Sequence, residues 1–273
     1  MNGKENIRSA FERARAEGRS ALVIYTTSGF PAIDSTVPVL KAISESGADL
    51  IELGVPFSDP LAEGPTIQKS SHAALEAGTT PETCLQAVKE ARSAGITTPI
   101  LLMGYYNPVL AYGLNEFCTD AAEAGADGLI IPDLPNPEAG PLRDACDAAG
   151  LAFVPLLALT STDESVAEAC KTASGFIYCV SVLGVTGART VVNDRVRGLV
   201  ENVHRNTDLP ALVGFGVSTA EHVAEVCEYA EGAVIGSAFI NAIADGPAET
   251  APERASAYVK SVLPGTQQKV VAK

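Results

Sequence analysis

Eight short apolar runs, each followed by a segment of helical periodicity, constrain this chain more than any other feature of its sequence. The runs are rich in Val, Ile and Leu, and they are continuous instead of alternating apolar with polar residues. Continuous runs of this length are typical of parallel strands that are buried on both faces. Numbered in chain order, they cover residues 21–26, 49–53, 99–106, 127–132, 151–157, 175–182, 210–216 and 231–236.

Eight strand–helix units within about 250 residues predict a (β/α)8 barrel, which we expect to be one α/β domain over residues 1–273. A doubly wound open sheet is the alternative architecture. Three of the helical segments end in a similar way, with SGAD at 46–49, AGAD at 124–127 and AGLA at 149–152. Glycine at such a position supplies the positive φ that ends a helix before the chain re-enters the sheet.

The chain ends suggest two further features. Residues 1–18 place Ile7, Ala10, Phe11 and Ala14 on one face of a predicted N-terminal helix, and residues 265–273 are expected to be a loose tail. The N-terminal segment lacks the apolar centre of a signal peptide, and no run approaches the length of a membrane span. We therefore expect a cytoplasmic protein that does not interact with membranes.

The balance of charge excludes some ligand classes. The chain has 273 residues with 19 Lys+Arg against 33 Asp+Glu, a formal net charge of -14. Such a chain is a poor partner for nucleic acid, whose binding depends on phosphate neutralisation. The six cysteines form no C-x-x-C pair and the three histidines no ligand pair, so neither a disulfide framework, a metal site nor a cofactor is expected.

The connections after the second and sixth strands are the longest, and we expect extended loops there. In a barrel both emerge at the C-terminal face, where active sites are built. The second connection carries Glu52 at the end of its apolar run, and then Asp59 and Glu63 in a segment rich in Pro and Gly. Burial would raise the pKa of Glu52 and suit it to general acid/base work, unless a neighbouring hydroxyl or lysine simply satisfies it. Asp59 and Glu63 are equal candidates for a second catalytic carboxylate, and either is equally well a solvated loop acid or a helix cap.

Glycine-rich turns after the last three strands predict a phosphate site. Backbone N–H groups at such turns and at a helix N-terminus bind a phosphate without Lys or Arg, so an acidic protein can hold a phosphorylated substrate. The turns are 185–188, 214–216 and 236–238. Four large side chains near strand ends would line an apolar pocket or, singly, fill the core: Tyr25, Tyr105, Ile130 and Phe215.

Seven stretches together resemble the tryptophan synthase alpha subunit family, and the resemblance covers nearly the whole chain. The most specific are ELGVPFSDPLAEGPTIQ (52–68) and FIYCVSVLGVTGAR (176–189), at the two enlarged loops. The others are YTTSGFP, LLMGYYNPVL, GLIIPDLP, VGFGVS and IGSAFI. The resemblance implies a lyase of tryptophan biosynthesis that cleaves indole-3-glycerol phosphate into indole and glyceraldehyde 3-phosphate, without a cofactor. It also implies a beta subunit as partner, in an α2β2 complex to which the indole passes.

The resemblance assigns catalytic roles to Glu52, as the acid/base glutamate, and to Tyr178, as the active-site tyrosine. Glu63 takes the place of a carboxylate that binds the indole N–H, where the family has aspartate. The extra methylene alters where the carboxylate meets the nitrogen. The implied phosphate-binding positions are Gly187, Gly214, Gly216, Gly236 and Ser237.

Four other positions also match the family. Tyr25, where enteric members carry phenylalanine, and Tyr105 fall on indole contacts. Thr186 falls on a threonine linked to closure over the substrate, and Asp59 on an aspartate that supports communication with the beta subunit. Three alternatives stay open: a stand-alone lyase, a non-catalytic allosteric activator subunit, and another phosphosugar barrel such as an isomerase.

Overall fold

The computed structural model describes residues 2–181, 189–214 and 216–267, with the backbone alone for residues 189–193. Within these ranges the apolar runs form nine strands in one parallel sheet of order β5-β4-β3-β2-β1-β9-β8-β7-β6. The strands are β1 (Ala21–Thr27), β2 (Leu50–Gly54), β3 (Ile100–Met103), β4 (Gly128–Ile130), β5 (Ala152–Val154), β6 (Leu156–Ala158), β7 (Ile177–Val180), β8 (Ala211–Gly214) and β9 (Gly232–Ile235).

The barrel closes through a strand that proline divides. β5 and β6 are the two halves of the fifth predicted run, and only Pro155 separates them. Proline has no N–H to donate to a sheet, although its carbonyl still accepts a hydrogen bond from the Tyr178 N–H at 3.1 Å. Because β5 pairs with β4 and β6 with β7, the sheet curls round on itself, and the predicted (β/α)8 barrel is confirmed against the open sheet.

Helices surround this barrel. In the described residues they are α1 (Gly3–Ala16), α2 (Thr36–Glu45), α3 (Pro65–Glu76), α4 (Pro81–Ser93), α5 (Tyr106–Tyr112), α6 (Leu114–Ala124), α7 (Gly140–Ala149), α8 (Asp163–Thr172), α9 (Arg189–Asn206), α10 (Ala220–Cys227), α11 (Ser237–Ala244) and α12 (Ala251–Val262). Short 3-10 turns lie at Ile33–Ser35, Asn136–Glu138, Ala248–Thr250 and Leu263–Thr266. No helix in this part of the chain is both long and apolar enough to cross a membrane.

The N-terminal helix closes the bottom of the barrel, at the N-terminal ends of the strands. α1 begins after an Asn2 capping box and buries the four residues that the periodicity placed on one face. Its Phe11 contacts Phe176 edge to face, with ring centroids 6.0 Å apart. Gly47, Gly125 and Gly150, predicted as helix-ending residues, all have positive φ.

Acidic residues that directly precede a strand hold the neighbouring strand at this end. Each carboxylate accepts a backbone N–H from the adjacent strand, so a polar group of the barrel floor is satisfied from within the chain. The bonds run from Leu22 N to Asp49 Oδ2 (2.9 Å), Ile100 N to Asp127 Oδ2 (2.8 Å) and Ala211 N to Glu231 Oε2 (2.8 Å). The aspartate in the SGAD and AGAD segments therefore fixes the neighbouring strand by a backbone hydrogen bond, in addition to following the helix-ending glycine.

Other features also differ from the sequence-based expectations. The third apolar run is a shorter strand than predicted, because Tyr106 begins α5. α3 was not predicted, since its SSHAA segment buries small polar residues where an apolar stripe would mark a helix. Residues 265–267 are not a loose tail: Gly265 and Thr266 are buried, Gln267 bridges to Arg19, and residues 268–273 lie outside the described residues.

Candidate active site

A cavity of about 310 Å³ opens at the C-terminal ends of the strands. The ends of β1, β2, β3 and β7, the segment after β8 and the start of α11 line it, so that one pocket joins carboxylates to a helix N-terminus. Seven predicted site residues meet there: Tyr25, Glu52, Glu63, Tyr178, Gly216, Gly236 and Ser237.

Glu52 lies at the floor of this cavity. It is the register partner of Tyr25 across β1 and β2, and its side chain is 1% exposed. Neither of its carboxylate oxygens has a hydrogen-bond partner among the described residues, so no hydroxyl or lysine there satisfies it. Burial, with a smaller contribution from the charge of Glu63, raises the pKa of Glu52 to about 8. A carboxyl group with this pKa can both give and take a proton near neutral pH.

Glu63 enters the cavity from the loop after β2. Burial raises the pKa of Glu63 to about 7, although a hydrogen bond from Tyr105 opposes the shift. The Tyr105 hydroxyl lies 3.5 Å from Glu63 Oε1 and accepts the Ala62 N–H at 2.9 Å, while the Gln68 side chain donates to the Glu63 carbonyl at 2.9 Å. The loop acid is thus tied to the α5 side of the barrel through Tyr105 and to α3 through Gln68.

The side chains of two tyrosines pack over glycines on neighbouring strands. A Cβ at Gly54 would overlap the hydroxyl of Tyr25, and a Cβ at Gly214 would overlap that of Tyr178. Burial, together with the charges of the two glutamates, raises the pKa of both phenols, so both hydroxyls keep their protons at neutral pH. Gly214 therefore has a packing role towards Tyr178 that the sequence pattern did not indicate.

The start of α11 and the segment after β8 give the cavity the features of an anion site. Gly236 occupies the N-cap of α11, Ser237 is its first residue, and Gly216 has a φ of 79°. Backbone N–H groups at a helix N-terminus point outward without intrahelical partners and attract negative charge. Gly187, the remaining predicted phosphate residue, lies outside the described residues.

Other predicted residues are placed away from the cavity lining. Ile130 is fully buried on β4 beside its register partner Met103, which does line the cavity. Asp59 is exposed and accepts a hydrogen bond from the Ser58 hydroxyl at 2.6 Å. Tyr105 reaches the site through Glu63, and its ring stacks on Phe57 with centroids 5.2 Å apart. Thr186 and Phe215 lie outside the described residues.

Sequence reasoning missed several lining residues. They include Ile67, Met103, Val217, Ser218, Val234, Ala238 and Asn241. Asn241 had a usable signal, because it lies one helical turn beyond Ser237 and so shares its face of α11. The described residues contain no cluster of three or more His, Cys, Asp or Glu that could hold a metal ion.

A larger cavity of about 850 Å³ lies at the other end of the barrel, against α1. Several of its charged residues are paired with one another or with nearby acids, as in His204–Glu231 (2.9 Å), Lys4–Asp147 (2.7 Å) and Arg19–Asp49. Size alone would favour this cavity, but the unpaired buried carboxyl lies in the smaller one. Chemistry therefore identifies the smaller cavity as the candidate active site.

The raised pKa of Glu52 predicts how stability depends on pH. From its ordinary pKa of 4.5 up to about 8, the folded chain keeps a proton on Glu52 that the unfolded chain releases, so Glu52 makes stability fall as pH rises through this window. Glu52→Gln removes the titration and leaves Glu63 in place. We expect the variant to melt at about the same temperature as the parent at the acidic end and increasingly above it towards the alkaline end. Thermal melts of both proteins across the window measure this; a constant difference would show that Glu52 does not titrate there.

The chain matches the family described as "Tryptophan synthase alpha chain" over residues 11–269. It is 48% identical over 256 residues to a tryptophan synthase alpha chain of Roseiflexus sp. (strain RS-1), covering 94% of this chain and 98% of that one. It is 45% identical over 270 residues to a tryptophan synthase of Saccharomyces cerevisiae, covering 98% of this chain but only 38% of the yeast protein.

Solved structures give the same similarity. A tryptophan synthase structure from Mycobacterium tuberculosis superposes with a TM-score of 0.87 at 36% identity, covering 96% of this chain and 98% of that one. A tryptophan synthase subunit alpha from Legionella pneumophila str. Paris gives a TM-score of 0.87 at 33% identity, covering 97% and 98%. The similarity thus extends over both the sequence and the barrel.

Proposed function

Since the chain belongs to the tryptophan synthase alpha chain family, we propose that it is the carbon–carbon lyase that cleaves indole-3-glycerol phosphate into indole and glyceraldehyde 3-phosphate. The single observation that carries the proposal is the buried carboxyl of Glu52, unpaired among the described residues, in a cavity that also contains a helix N-terminus. A bound substrate needs a proton exchanger at its ring end and an anion site at its phosphate end, and this cavity has features suited to both.

Glu52 carries the proton transfers in this proposal. It gives its proton to C3 of the indole ring and takes the proton of the 3′-hydroxyl, and the electrons of the breaking C3–C3′ bond return to the ring. Indole and an aldehyde leave, and Glu52 is again protonated, so the cycle balances without any other acid. A pKa near neutrality suits one group to both steps.

Glu63 binds the indole N–H. Protonation at C3 leaves positive charge on the ring nitrogen, and a carboxylate close to that nitrogen stabilises the charge as it forms. Tyr178 positions the substrate beside Glu52, and the rings of Tyr25 and Tyr105 border the indole, with Phe215 as a further contact. Ile130 supports this pocket through its register partner Met103. Gly187, Gly214, Gly216, Gly236 and Ser237 hold the phosphate through the backbone and one hydroxyl.

We propose that a beta subunit receives the indole in an α2β2 complex, as the resemblance to the family implies. The loop after β2 is suited to the contact, since its Leu61 is 91% exposed at the same end of the barrel as the cavity. Asp59 in this loop and Thr186 after β7 would couple closure over the substrate to the partner. We also propose a cytoplasmic location, where a reducing environment suits the six free cysteines.

Indole release from indole-3-glycerol phosphate, measured with and without a tryptophan synthase beta subunit, tests the proposal. We expect slow release by the chain alone and strong stimulation by the beta subunit. Equally fast release in both conditions would indicate a stand-alone lyase. No release in either condition would contradict the proposed function; stimulation of the beta reaction without any indole release would then identify a non-catalytic activator.

A further inference from the structure

Gly54 leaves a gap on the interior face of β2, next to the catalytic carboxyl. Glu52 and Gly54 are two residues apart on this strand, so both face the interior of the barrel, and Gly54 is the nearer to the strand end. Tyr25 on β1 pairs in register with Glu52, and Thr27 pairs with Gly54. The four positions therefore form one patch of the barrel wall, in which Gly54 alone contributes no side chain.

The outer end of the Tyr25 ring fills this gap. A Cβ at Gly54 would overlap the Tyr25 hydroxyl and would lie 2.7 Å from Cζ and 2.9 Å from Cε2 of the ring. Carbon atoms in contact stay about 3.5–4.0 Å apart, so no side chain fits at Gly54 while the ring keeps its place. Gly54 is not among the glycines with positive φ. The approach of the ring, and not backbone strain, is therefore what excludes a side chain here.

Buried hydroxyl groups hold the ring in this position. The Tyr25 hydroxyl lies 3.3 Å from Thr27 Oγ1, and Thr27 Oγ1 lies 2.7 Å from Ser70 Oγ on α3. Ser70 in turn donates to the carbonyl oxygen of Ile67 at 2.9 Å. The Tyr25 ring thus leans along the wall formed by β1 and β2, towards the strand ends, and does not cross the cavity.

A ring displaced from Gly54 would move into the cavity. On the other side of β1 lies β9, and a Cβ at Gly236, directly after β9, would lie 3.6 Å from Tyr25 Cβ and 3.8 Å from its Cδ1. The ring is therefore bordered by β2 at its outer end and by the start of α11 at its inner end. Tyr25, Glu52 and Gly236 all line the cavity, so the remaining direction leads into the space between them.

We propose that Gly54 is a positioning residue that keeps the Tyr25 ring against the barrel wall, so that the space between Glu52 and the start of α11 stays open for the substrate. A side chain at Gly54 would make the ring an obstruction that has to move aside before the substrate binds. The cost would then fall on binding and not on proton transfer by Glu52. The kinetic test of this inference rests on the proposed lyase function, and its structural test does not.

Gly54→Ala tests the inference. We expect KM for indole-3-glycerol phosphate to rise at least about tenfold with kcat close to the parental value, because only molecules whose ring has moved aside bind the substrate. A general loss of folded protein would instead lower kcat and leave KM unchanged. Both constants are measured as indole release with a beta subunit. A crystal structure of the variant without ligand should show the Tyr25 hydroxyl displaced from Thr27 into the cavity.

A second substitution at Tyr25 makes the result specific. Leucine lacks all three ring atoms that a Cβ at Gly54 would meet, so Gly54→Ala combined with Tyr25→Leu should have the KM of Tyr25→Leu alone. Phenylalanine keeps Cζ and Cε2, so Gly54→Ala should still raise KM when it is added to Tyr25→Phe. Gly140→Ala is the matched control with a parental KM, because a Cβ at Gly140 would meet no other described atom within 4 Å.

Three outcomes overturn the proposal: a parental KM in Gly54→Ala, a Tyr25 ring that stays at Thr27 in the crystal structure of this variant, or a KM that Gly54→Ala raises equally in the Tyr25→Leu background. If Gly54→Ala does not fold, its combination with Tyr25→Leu decides. A folded double variant supports obstruction by the ring, and an unfolded one contradicts it. If the parent releases no indole, the proposed function fails, and the crystal structure of Gly54→Ala decides this inference by itself.

Discussion

Replacing Glu52 by glutamine is expected to lower kcat for cleavage of indole-3-glycerol phosphate by at least about 10³-fold. One carboxyl both gives the proton to C3 and takes it from the 3′-hydroxyl, and each such role contributes about 10²- to 10⁴-fold. Glutamine keeps the length and shape of the side chain but exchanges no proton. Substrate binding should remain measurable, because the helix N-terminus and the loop acid are untouched.

The measurement is steady-state indole release at saturating substrate, paired with calorimetric titration of the substrate into the variant. Glu76→Gln, at an exposed carboxylate of α3, is the control for loss of one negative charge and should retain the parental rate. Unchanged turnover in Glu52→Gln would refute the assignment of Glu52. Loss of both turnover and binding would point instead to a damaged pocket.

The position of Glu52 was predictable because the relevant information is local. Residues 49–53 are apolar except for Asp49 and Glu52. The carboxyl ends of parallel strands meet at one edge of the barrel, so a charge near that end of a strand enters the mouth. The same logic found Gly236 and Ser237, since a glycine at the start of a helix after the last strand marks an N-terminus. These placements needed only the order of the strands.

What escaped prediction depends on contacts between distant segments. The packing of Tyr178 over Gly214, and that of Tyr25 over Gly54, depends on strand register, which the apolar runs do not specify. The buried position of Ser70 could not be predicted because α3 has no apolar stripe, and its hydrogen bond to Thr27 joins residues 43 positions apart. The division of β5 from β6 at Pro155 follows from one missing N–H within a run that otherwise fits a single strand.

The raised pKa values of Glu52 and Glu63 are themselves such a long-range property. Burial causes most of the pKa shift of each carboxyl, and the charge of Glu63 raises the pKa of Glu52 further. The pair therefore titrates as a coupled system in which protonation of one acid eases ionisation of the other. Near neutral pH this favours a state with a proton on Glu52 and a charge on Glu63, the arrangement in which the proposed cleavage begins.

Two substitutions at Glu63 separate its charge from its length. Glu63→Gln should lower kcat by about 10²-fold, because no negative charge then faces the ring nitrogen when C3 is protonated. Glu63→Asp should keep or raise the parental rate. The chain closely resembles its family around this loop, and the family has aspartate at the position of Glu63. Both rates are measured as indole release in the presence of a beta subunit, so that the loop can reach its working position.

The pH profile of kcat adds a readout that a merely structural role would not produce. Removing the charge of Glu63 relieves the repulsion that helps to raise the pKa of Glu52, so the profile of Glu63→Gln should shift to lower pH, whereas that of Glu63→Asp should not. A parental rate in Glu63→Gln would remove Glu63 from the mechanism. An inactive Glu63→Asp would mean that Tyr105, 3.5 Å from Glu63 Oε1, and the rest of the loop have adjusted to the longer acid. In that case the glutamate is not a tolerated departure but a part of this chain's own geometry.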